Sequence, residues 1–304
     1  MISNLSRIAS LKDCIARQGC IRVIECHSPI AALLAQNSRV DVAGQGDRKF
    51  DALWSSSLAD SAVSALPDTE FLSIDTRLRR ACDIMDVTSL PILFDADTGG
   101  DADHFARRIP QFERLGISGV VVEDKVGFKQ NSLLADHSVH QQATIVDFCD
   151  KLDLARSSRT VDDLLLVARC ESLILGAGQQ DALARSFAYV DAGADAILIH
   201  SKARTPDEVF AFACEFRRRC PDKILICVPT TYNKTGFAEF RERGFNVVIY
   251  ANHTFRASFS AMQKVSQDIL RFDRTFEADL YCEPIGNVVE LFRTDRGRPD
   301  NGAE

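Results

Sequence analysis

The chain has 304 residues, of which 46% are hydrophobic and 26% are charged, a composition that allows one large domain with a full apolar core. Its net charge of -7 argues against general nucleic-acid binding and favours a small-molecule partner. Ten cysteines without metal-site spacing, an opening segment without a signal-peptide pattern and no apolar run long enough to cross a bilayer predict a cytoplasmic protein that does not enter membranes.

Short apolar runs alternate with longer amphipathic segments, which is the pattern of parallel strands covered by helices. Eight such runs follow one another, at Ile21 to Cys26, Ala52 to Trp54, Ile92 to Phe94, Gly119 to Val122, Leu164 to Ala168, Ala196 to Ile199, Ile224 to Val228 and Val247 to Tyr250. Helix-like stretches between them include Asp181 to Ala192, Asp207 to Arg218 and Arg256 to Ile269. Eight βα units predict an α/β fold, a closed (β/α)8 barrel of the TIM type.

The barrel is expected to form one domain over residues 1–290, interrupted by an insertion at Asn37 to Lys49. The polar tail over residues 291–304 is expected to be disordered. A doubly wound open sheet is the competing architecture, and it would place a glycine-rich turn after its first strand. Cys26-His27-Ser28-Pro29 stands there instead, which favours the barrel.

Polar residues follow each apolar run, and a barrel would gather them at one end, where the active sites of such barrels lie. In chain order they are His27, Ser55 to Ser57, Asp95, Asp97, Glu123 to Lys125, Arg169, Glu171, His200 to Lys202, Thr230 to Tyr232, Asn252 and His253. Asp95 and Asp97 are two apart and can approach one point if the strand continues through them. Hard oxygen ligands without paired histidines or thiolates favour Mg²⁺ or Mn²⁺ over zinc.

An anionic substrate suits such a metal, and Arg169, Lys129 and His200 are the cationic residues expected to hold it. Each residue also has an ordinary structural explanation. An Asp-x-Asp pair at a strand end is a common turn or helix N-cap device. Arg169 could pair with a neighbouring acid, and His200 could be a packed core histidine. Trp54 is equally compatible with packing in the barrel and with forming a wall of the pocket. The joint placement of these residues, rather than any one of them, favours a catalytic site.

Several sequence blocks follow or include these polar residues. The most specific is EDKVGFKQNS at positions 123–132, and the others are WSSSL at 54–58, PDTE at 67–70, FDADTGG at 94–100, VARCES at 167–172, GADAILIHSK at 193–202, VPTTYNKT at 228–235 and YANHTFRAS at 250–258. In the content and order of these blocks, from about position 10 to about position 270, the chain resembles the phosphoenolpyruvate mutase branch of the isocitrate lyase superfamily. The branch pattern EDKxxPKxNS is matched except that Phe128 replaces the proline.

The resemblance implies a magnesium-dependent enzyme, with manganese as the alternative metal, that interconverts phosphoenolpyruvate and phosphonopyruvate at the entry to phosphonate biosynthesis. It implies that Asp95 ligates the metal and that Asp68, Asp97 and Glu123 hold its waters. The implied substrate-binding residues are Trp54, Ser56, Ser57, Leu58, Arg169 and Ser132, and the implied catalytic residues are Asp68, Lys129, Asn131, Arg169 and His200. It also implies a lid near residues 123–138 and a homodimer or homotetramer that exchanges the eighth barrel helix, for which Arg256 to Ile269 is the candidate.

Two departures from the family pattern bear on these expectations. Phe128 in place of proline leaves the lid backbone less constrained, because proline fixes its own torsion. Ser57 stands where the family usually has glycine, which matters if the backbone there needs a positive φ or a close approach to the substrate.

Three other functions are weighed against the mutase. Phosphonopyruvate hydrolase has nearly the same site, but hydrolase relatives tend to carry threonine where this chain has Asn131. Carbon–carbon lyases of the superfamily carry a KKCGH-like or KRCGH-like loop with a catalytic cysteine, and this chain has no such string. A catalytically inactive barrel that serves as a binding protein should have lost some metal or phosphate residues, yet none of the expected set is missing.

Overall fold

The computed structural model describes residues 2–44, 46–127 and 141–292. Its strands are β1 (Ile21–Glu25), β2 (Arg39–Val42), β3 (Gly46–Lys49), β4 (Ala52–Ser55), β5 (Ile92–Asp95), β6 (Gly119–Glu123), β7 (Lys125–Val126), β8 (Gln141–Gln142), β9 (Leu165–Cys170), β10 (Ala196–Ile199), β11 (Ile224–Cys227) and β12 (Val247–Tyr250). Its helices are α1 (Asn4–Gln18), α2 (Pro29–Asn37), α3 (Ser57–Val63), α4 (Ile74–Met85), α5 (Ala102–Leu115), α6 (Ile145–Ser157), α7 (Ser172–Leu175), α8 (Gly178–Asp191), α9 (Asp207–Arg219), α10 (Phe237–Glu242), α11 (His253–Phe272), α12 (Phe276–Asp279) and α13 (Ile285–Leu291).

Eight of these strands close a parallel barrel in the order β1-β12-β11-β10-β9-β6-β5-β4, which confirms the predicted fold. Each barrel strand coincides with one of the eight apolar runs, and the bounds differ by at most two residues. The agreement follows from burial on both faces, because a parallel strand between core and helices is apolar along its whole length. The insertion at 37–49 contains β2 and β3, which pair as an antiparallel hairpin outside the barrel.

The barrel interior is filled by alternate residues of each strand. Val23, Leu93, Val121 and Val167 belong to one buried cluster inside the barrel with their counterparts on the other strands. The intervening residues pack against the helices in a second, larger cluster. Because side chains alternate along a strand, the residues two positions after these interior ones also face inward, at the carboxyl end of the barrel.

Short polar side chains fix where the helices begin. A side-chain oxygen at the N-cap accepts a backbone N–H of the first turn in six helices, at Ser3, Ser28, Ser56, Ser73, Asp101 and Thr144. Such a cap stabilises a helix by about 1 kcal/mol. The cap of α3 follows directly after β4, and the cap of α5 lies at the end of the loop that follows β5, so these two caps also fix the ends of loops around the site.

The chain divides into two compact units, residues 1–255 and residues 256–304. The first contains the barrel, and the second contains most of α11 together with α12 and α13. Many large apolar side chains of the second unit are exposed, among them Phe259, Met262, Leu270, Leu280 and Ile285. Within the described residues no helix is both long and apolar enough to span a membrane. The expectations of a single domain over 1–290 and of a disordered tail stay predictions, and residues 293–304 lie outside the described residues.

Candidate active site

A cleft opens at the carboxyl end of the barrel, as the strand pattern predicts. Its volume, including the part open to solvent, is about 550 Å³, and its lining contains every predicted substrate-binding and catalytic residue that the structure describes. The lining residues are Trp54, Ser56, Ser57, Leu58, Asp68, Asp95, Arg169, Leu198, His200, Val228, Thr230, Ala251 and Asn252. Trp54 is almost fully buried and belongs to the barrel-interior cluster, so it both packs the barrel and forms a wall of the cleft.

Asp95 ends β5 and lies two residues after the interior residue Leu93. One carboxylate oxygen, Oδ2, accepts hydrogen bonds from the hydroxyl of Ser57 at 2.9 Å and from its backbone N–H at 3.4 Å. The other oxygen, Oδ1, accepts the N–H of Asp97 at 3.1 Å. The Asp95 carboxylate is therefore held by donors from two loops, those that follow β4 and β5.

The loop after β5 turns sharply, and this turn separates the two aspartates. Asp97 has a φ of 56° and Gly99 a φ of 72°, both in the left-handed region. A Cβ at Gly99 would lie 2.7 Å from Cδ2 of Phe105, so glycine is required there on both counts. Because of the turn, Asp97 does not line the cleft with Asp95, and its Oδ2 instead accepts a hydrogen bond from Arg77 at 3.0 Å.

Glu123 ends β6 and is also placed outside the cleft lining, where it forms ion pairs. Its Oε1 lies 3.4 Å from Nζ of Lys125 and its Oε2 lies 3.5 Å from Arg169. No group of three or more His, Cys, Asp and Glu side chains in the described parts of the chain is arranged to hold a metal directly. The geometry offers two carboxylates at the cleft, Asp68 and Asp95, with Asp97 and Glu123 outside the lining.

The charges around the cleft fit a divalent cation. Asp68 and Asp95 contribute carboxylate oxygens to the cleft lining, and Asp97 and Glu123 add two buried carboxylates outside it. Carboxylate oxygens are the ligands that Mg²⁺ prefers, so this set of donors fits such a cation.

Arg169 is the centre of the cationic side of the cleft. Its Nε donates to Glu171 Oε1 at 2.5 Å, and a terminal nitrogen lies 3.0 Å from Nδ1 of His200. Although burial opposes its charge, Glu171 and Glu123 raise the pKa of the guanidinium. Arg169 is thus a permanent cation at the cleft, fixed in direction by the buried Glu171.

His200 follows β10 and lines the same cleft. Nδ1 of His200 lies 3.0 Å from the guanidinium of Arg169, which can only donate, and 3.4 Å from Glu171 Oε1, which as a carboxylate can only accept. The shorter contact favours Nδ1 as an acceptor, with the ring proton on Nε2. Burial and the neighbouring Arg169 lower the pKa of His200. The ring is therefore a neutral imidazole that can donate one hydrogen bond from Nε2.

The loop after β4 presents Ser56, Ser57 and Leu58 to the cleft. The Ser56 hydroxyl caps α3 by accepting the N–H of Ala59 at 3.3 Å. Ser57 is not among the residues with a positive φ, so a serine at this position carries no backbone strain. Its side chain adds a donor to Asp95 that a glycine could not supply.

The EDK triplet at positions 123–125 contacts both the barrel and the surrounding layer of helices. Glu123 and Lys125 lie on the barrel side, where Lys125 also reaches Glu171 at 3.3 Å. Asp124 points to the helix layer and accepts hydrogen bonds from Tyr189 at 2.7 Å and Gln142 at 2.8 Å. Burial raises the pKa of Asp124 to about 6.

The remaining block residues fall outside the part of the chain that the structure describes. Lys129, Asn131, Ser132 and the replaced proline position Phe128 all lie there, so their placement stays a prediction. The strands on either side of them, β7 and β8, pair antiparallel with Lys125 opposite Gln142.

Sequence reasoning missed several residues of the site. Leu198, Val228 and Ala251 line the cleft but were read only as parts of strands or strand ends. Arg77 and Asp60 form a buried ion pair at 3.0 Å. The sequence did contain a signal that Arg77 is buried and paired. Arg77 lies on the face of α4 that buries Ala81 and Ile84, and an arginine in such an apolar stripe requires an acidic partner.

The closed barrel with acids, a guanidinium and an imidazole at its carboxyl end defines an α/β-barrel enzyme. A family model described as phosphoenolpyruvate phosphomutase matches residues 11–270. The chain belongs to the phosphoenolpyruvate phosphomutase family.

Relatives of two activities are similar over most of the chain. The chain is 36% identical over 274 residues to phosphonopyruvate hydrolase from Variovorax sp. (strain Pal2), covering 90% of both chains. It is 35% identical over 293 residues to phosphoenolpyruvate phosphomutase from Tetrahymena pyriformis, covering 96% of this chain and 92% of that one.

Solved structures agree in fold over nearly the whole chain. Phosphoenolpyruvate phosphomutase from Streptomyces platensis subsp. rosaceus matches with a TM-score of 0.85 at 32% identity, covering 94% of both chains. A phosphonopyruvate hydrolase in complex with oxalate and Mg²⁺ matches with a TM-score of 0.81 at 32% identity, covering 96% of this chain and 95% of that one.

Proposed function

We propose that this protein is a magnesium-dependent phosphoenolpyruvate mutase. It interconverts phosphoenolpyruvate and 3-phosphonopyruvate by moving a phosphoryl group between oxygen and carbon, the step that forms the carbon–phosphorus bond of phosphonates. The observation that carries the proposal is the cleft itself, in which Asp95, Arg169 and His200 converge with the loop after β4. The family membership and the mutases among the similar proteins support the same reaction.

The proposed metal is Mg²⁺, with Mn²⁺ as an alternative, held by Asp95 directly and by Asp68, Asp97 and Glu123 through water. The carboxylates of Asp68 and Asp95 on the cleft lining support this assignment, and a similar hydrolase was solved with Mg²⁺. Asp97 and Glu123 are already engaged by Arg77, Lys125 and Arg169, which suits an indirect role better than direct ligation. When bound, the cation would supply positive charge to the oxygens of the pyruvate portion.

The residues of the cleft have complementary roles in the transfer. Arg169 binds the carboxylate of the pyruvate portion, for which its planar guanidinium is suited. The neutral His200 donates its Nε2–H to a phosphoryl oxygen and holds the migrating group as its charge shifts. Transfer through a loose, metaphosphate-like state needs fixed donors more than covalent chemistry. The apolar Trp54, Leu198 and Val228 on the lining keep water from part of the cleft.

Phosphonopyruvate hydrolase is the second candidate, because a hydrolase is among the most similar relatives. Asn131 favours the mutase, since an amide at that place can hold the transferred group, whereas hydrolase relatives tend to carry threonine. Lys129 and Ser132 are proposed to bind the phosphoryl group with it. On this basis Asn131→Thr should raise phosphate release from phosphonopyruvate relative to mutase turnover, and unchanged partitioning would remove the role given to Asn131.

We further propose a cytoplasmic homodimer or homotetramer in which the eighth barrel helix, α11, packs on another copy. Of the twenty residues of α11 only Asp268 is buried. The barrel unit has a groove of about 940 Å³ outside β1 and β12, lined by apolar residues such as Ile24, Val40, Phe50 and Tyr250. Light scattering coupled to gel filtration measures the assembly directly, and a monomer at micromolar concentration would refute the exchange.

Phosphorus NMR of the purified protein with phosphonopyruvate and Mg²⁺ tests the proposed reaction. Formation of phosphoenolpyruvate supports the mutase. Inorganic phosphate with pyruvate would establish the hydrolase instead. An unchanged spectrum would refute both and direct attention to carbon–carbon lyase substrates.

A further inference from the structure

Arg77 is a buried cation that lies next to the proposed metal site without lining the cleft. It belongs to α4, and its side chain is 1% exposed. Although burial opposes its charge, Asp97, Asp60 and Asp95 raise the pKa of its guanidinium. Arg77 therefore stays charged within a cluster of aspartates that surrounds the end of β5.

The guanidinium of Arg77 connects the end of β4, helix α3 and the loop after β5. Its Nε donates to Asp60 Oδ2 at 3.0 Å, and one terminal nitrogen donates to Asp97 Oδ2 at 3.0 Å. The other terminal nitrogen donates to the carbonyl of Ser55 at 3.3 Å. The group also lies over the ring of Phe94, 4.6 Å from its centroid. These contacts use the planar fork of an arginine, which a single ammonium group cannot reproduce.

Each of these segments leads to a donor that holds Asp95. Ser55 and Asp60 lie on either side of Ser57, whose hydroxyl donates to Asp95 Oδ2. Asp97 supplies the N–H that donates to Asp95 Oδ1, from a backbone with a φ of 56°. A non-glycine residue in this region persists only where its surroundings hold it. The Arg77–Asp97 pair is such a restraint.

Arg80 provides an internal comparison on the same helix. It also binds Asp60, with 3.0 Å between a terminal nitrogen and Oδ1, and it donates to the Asp60 carbonyl at 2.8 Å. Its hydrogen bonds reach Asp60 and Ser64, and none of those the structure gives for it reaches the loop after β5. Arg80 therefore supports the packing of α4 on α3, whereas Arg77 also connects α4 to Asp97.

We propose that Arg77 is a positioning residue that orients the Asp95 carboxylate for metal binding, by clamping the loop after β4 to the loop after β5. The proposal rests on the proposed function in so far as Asp95 is the metal ligand. Arg77 acts through Asp97 and Ser57 and does not touch the substrate.

Manganese binding to the protein alone, followed by electron paramagnetic resonance, tests this role without turnover. We expect Arg77→Met to weaken Mn²⁺ binding by about 10–100-fold, the range for residues that orient metal ligands. Arg77→Lys keeps the charge but loses the fork, and we expect it to weaken binding by about tenfold. The control Arg80→Met should bind within about twofold of the wild type, although it also loses thermal stability.

The outcomes separate the positioning role from the proposed function. Mn²⁺ binding unchanged in both Arg77 variants would overturn the positioning role and leave the metal site intact. Equal weakening in Arg80→Met would also overturn it, because the effect would then follow from the packing of α4. If Arg77→Met does not fold, Arg77→Lys decides the matter by itself. A wild-type protein that binds no Mn²⁺ would overturn the inference together with the metal assignment, whereas the phosphorus NMR experiment tests the reaction separately.

Discussion

Glu171 is the residue whose replacement should reveal how strongly the cationic side of the cleft depends on buried charge. Its side chain is fully buried, and its Oε1 accepts a hydrogen bond from Arg169 Nε at 2.5 Å. Nζ of Lys125 lies 3.3 Å from its Oε2, and Nδ1 of His200 lies 3.4 Å from its Oε1. Glu171→Gln keeps the shape but removes a carboxylate charge that lies 2.5 Å from Arg169 and 3.3 Å from Lys125. Breaking a buried ion pair costs about 3–5 kcal/mol. Since the amide oxygen can still accept from Arg169, we expect a loss of about 3 kcal/mol, a large share of the stability of an ordinary domain.

The loss should depend on pH with a definite sign. Burial alone would raise the pKa of Glu171, but the nearby Arg169 and Lys125 hold that pKa well below its ordinary value of 4.5. The contribution of the charged form is therefore fully present above about pH 4.5 and is lost as the pH falls through the lower folded-state value. Urea unfolding of wild type and variant, compared at about pH 7.5 and below about pH 4.5, should show the gap in free energy shrinking.

Glu113→Gln is the matched control for this experiment. Glu113 is also buried, but it accepts hydrogen bonds from the backbone N–H groups of Thr160 and Val161 and from the Thr160 hydroxyl. The amide of the variant can keep these contacts, since its oxygen accepts from the two backbone N–H groups and its NH2 group can donate to the Thr160 hydroxyl oxygen, so we expect a loss of about 1 kcal/mol. A loss for Glu171→Gln no larger than that of Glu113→Gln, or one independent of pH, would refute the claim that buried ion pairs hold this side of the cleft.

Three further predictions concern the metal ligand, the acidic loop and the imidazole. Asp95→Ala should lower Mn²⁺ affinity and turnover by more than about 100-fold, and near-normal metal-dependent turnover would contradict the ligand assignment. Gly99→Ala should cost about 2 kcal/mol in urea unfolding, because of its positive φ and the contact with Phe105, and a neutral effect would show that the loop is not held as described. Because the pKa of His200 is lowered in the folded protein, the unfolded chain binds a proton at this residue more readily below about pH 6.5 than the folded chain does. The free energy of unfolding should therefore fall as the pH is lowered. Replacement by asparagine should flatten this dependence below about pH 6.5, and parallel curves for wild type and His200→Asn would contradict it.

The barrel and much of the cleft could be predicted because both follow from local patterns. A parallel strand buried on both faces is an unbroken apolar run, and the first polar residue after it lies at the rim. Asp95, Arg169 and His200 were identified in this way. Their orientation toward the interior follows from their even spacing behind Leu93, Val167 and Leu198.

What could not be predicted depends on backbone turns and on contacts distant in sequence. Period-two spacing placed Asp95 and Asp97 on one side, but the left-handed torsion of Asp97 breaks the strand and turns its carboxylate to Arg77. The pair of Arg77 with Asp60 joins residues seventeen positions apart on two helices. No local pattern specifies that pairing, although the position of Arg77 on a buried helix face was a signal that some acid must meet it.

The alternation of the EDK triplet between barrel and helices limits how this chain can vary. Glu123 and Lys125 belong to the catalytic end of the barrel, while Asp124 belongs to the contact with α8 through Tyr189. One residue gained or lost within β6 would exchange these assignments, placing two charges among the apolar helix contacts and an isolated acid in the cleft. A one-residue insertion or deletion in β6 should therefore disturb the cleft and the contact with α8 together, whereas a change of length beyond the strand ends leaves this alternation intact.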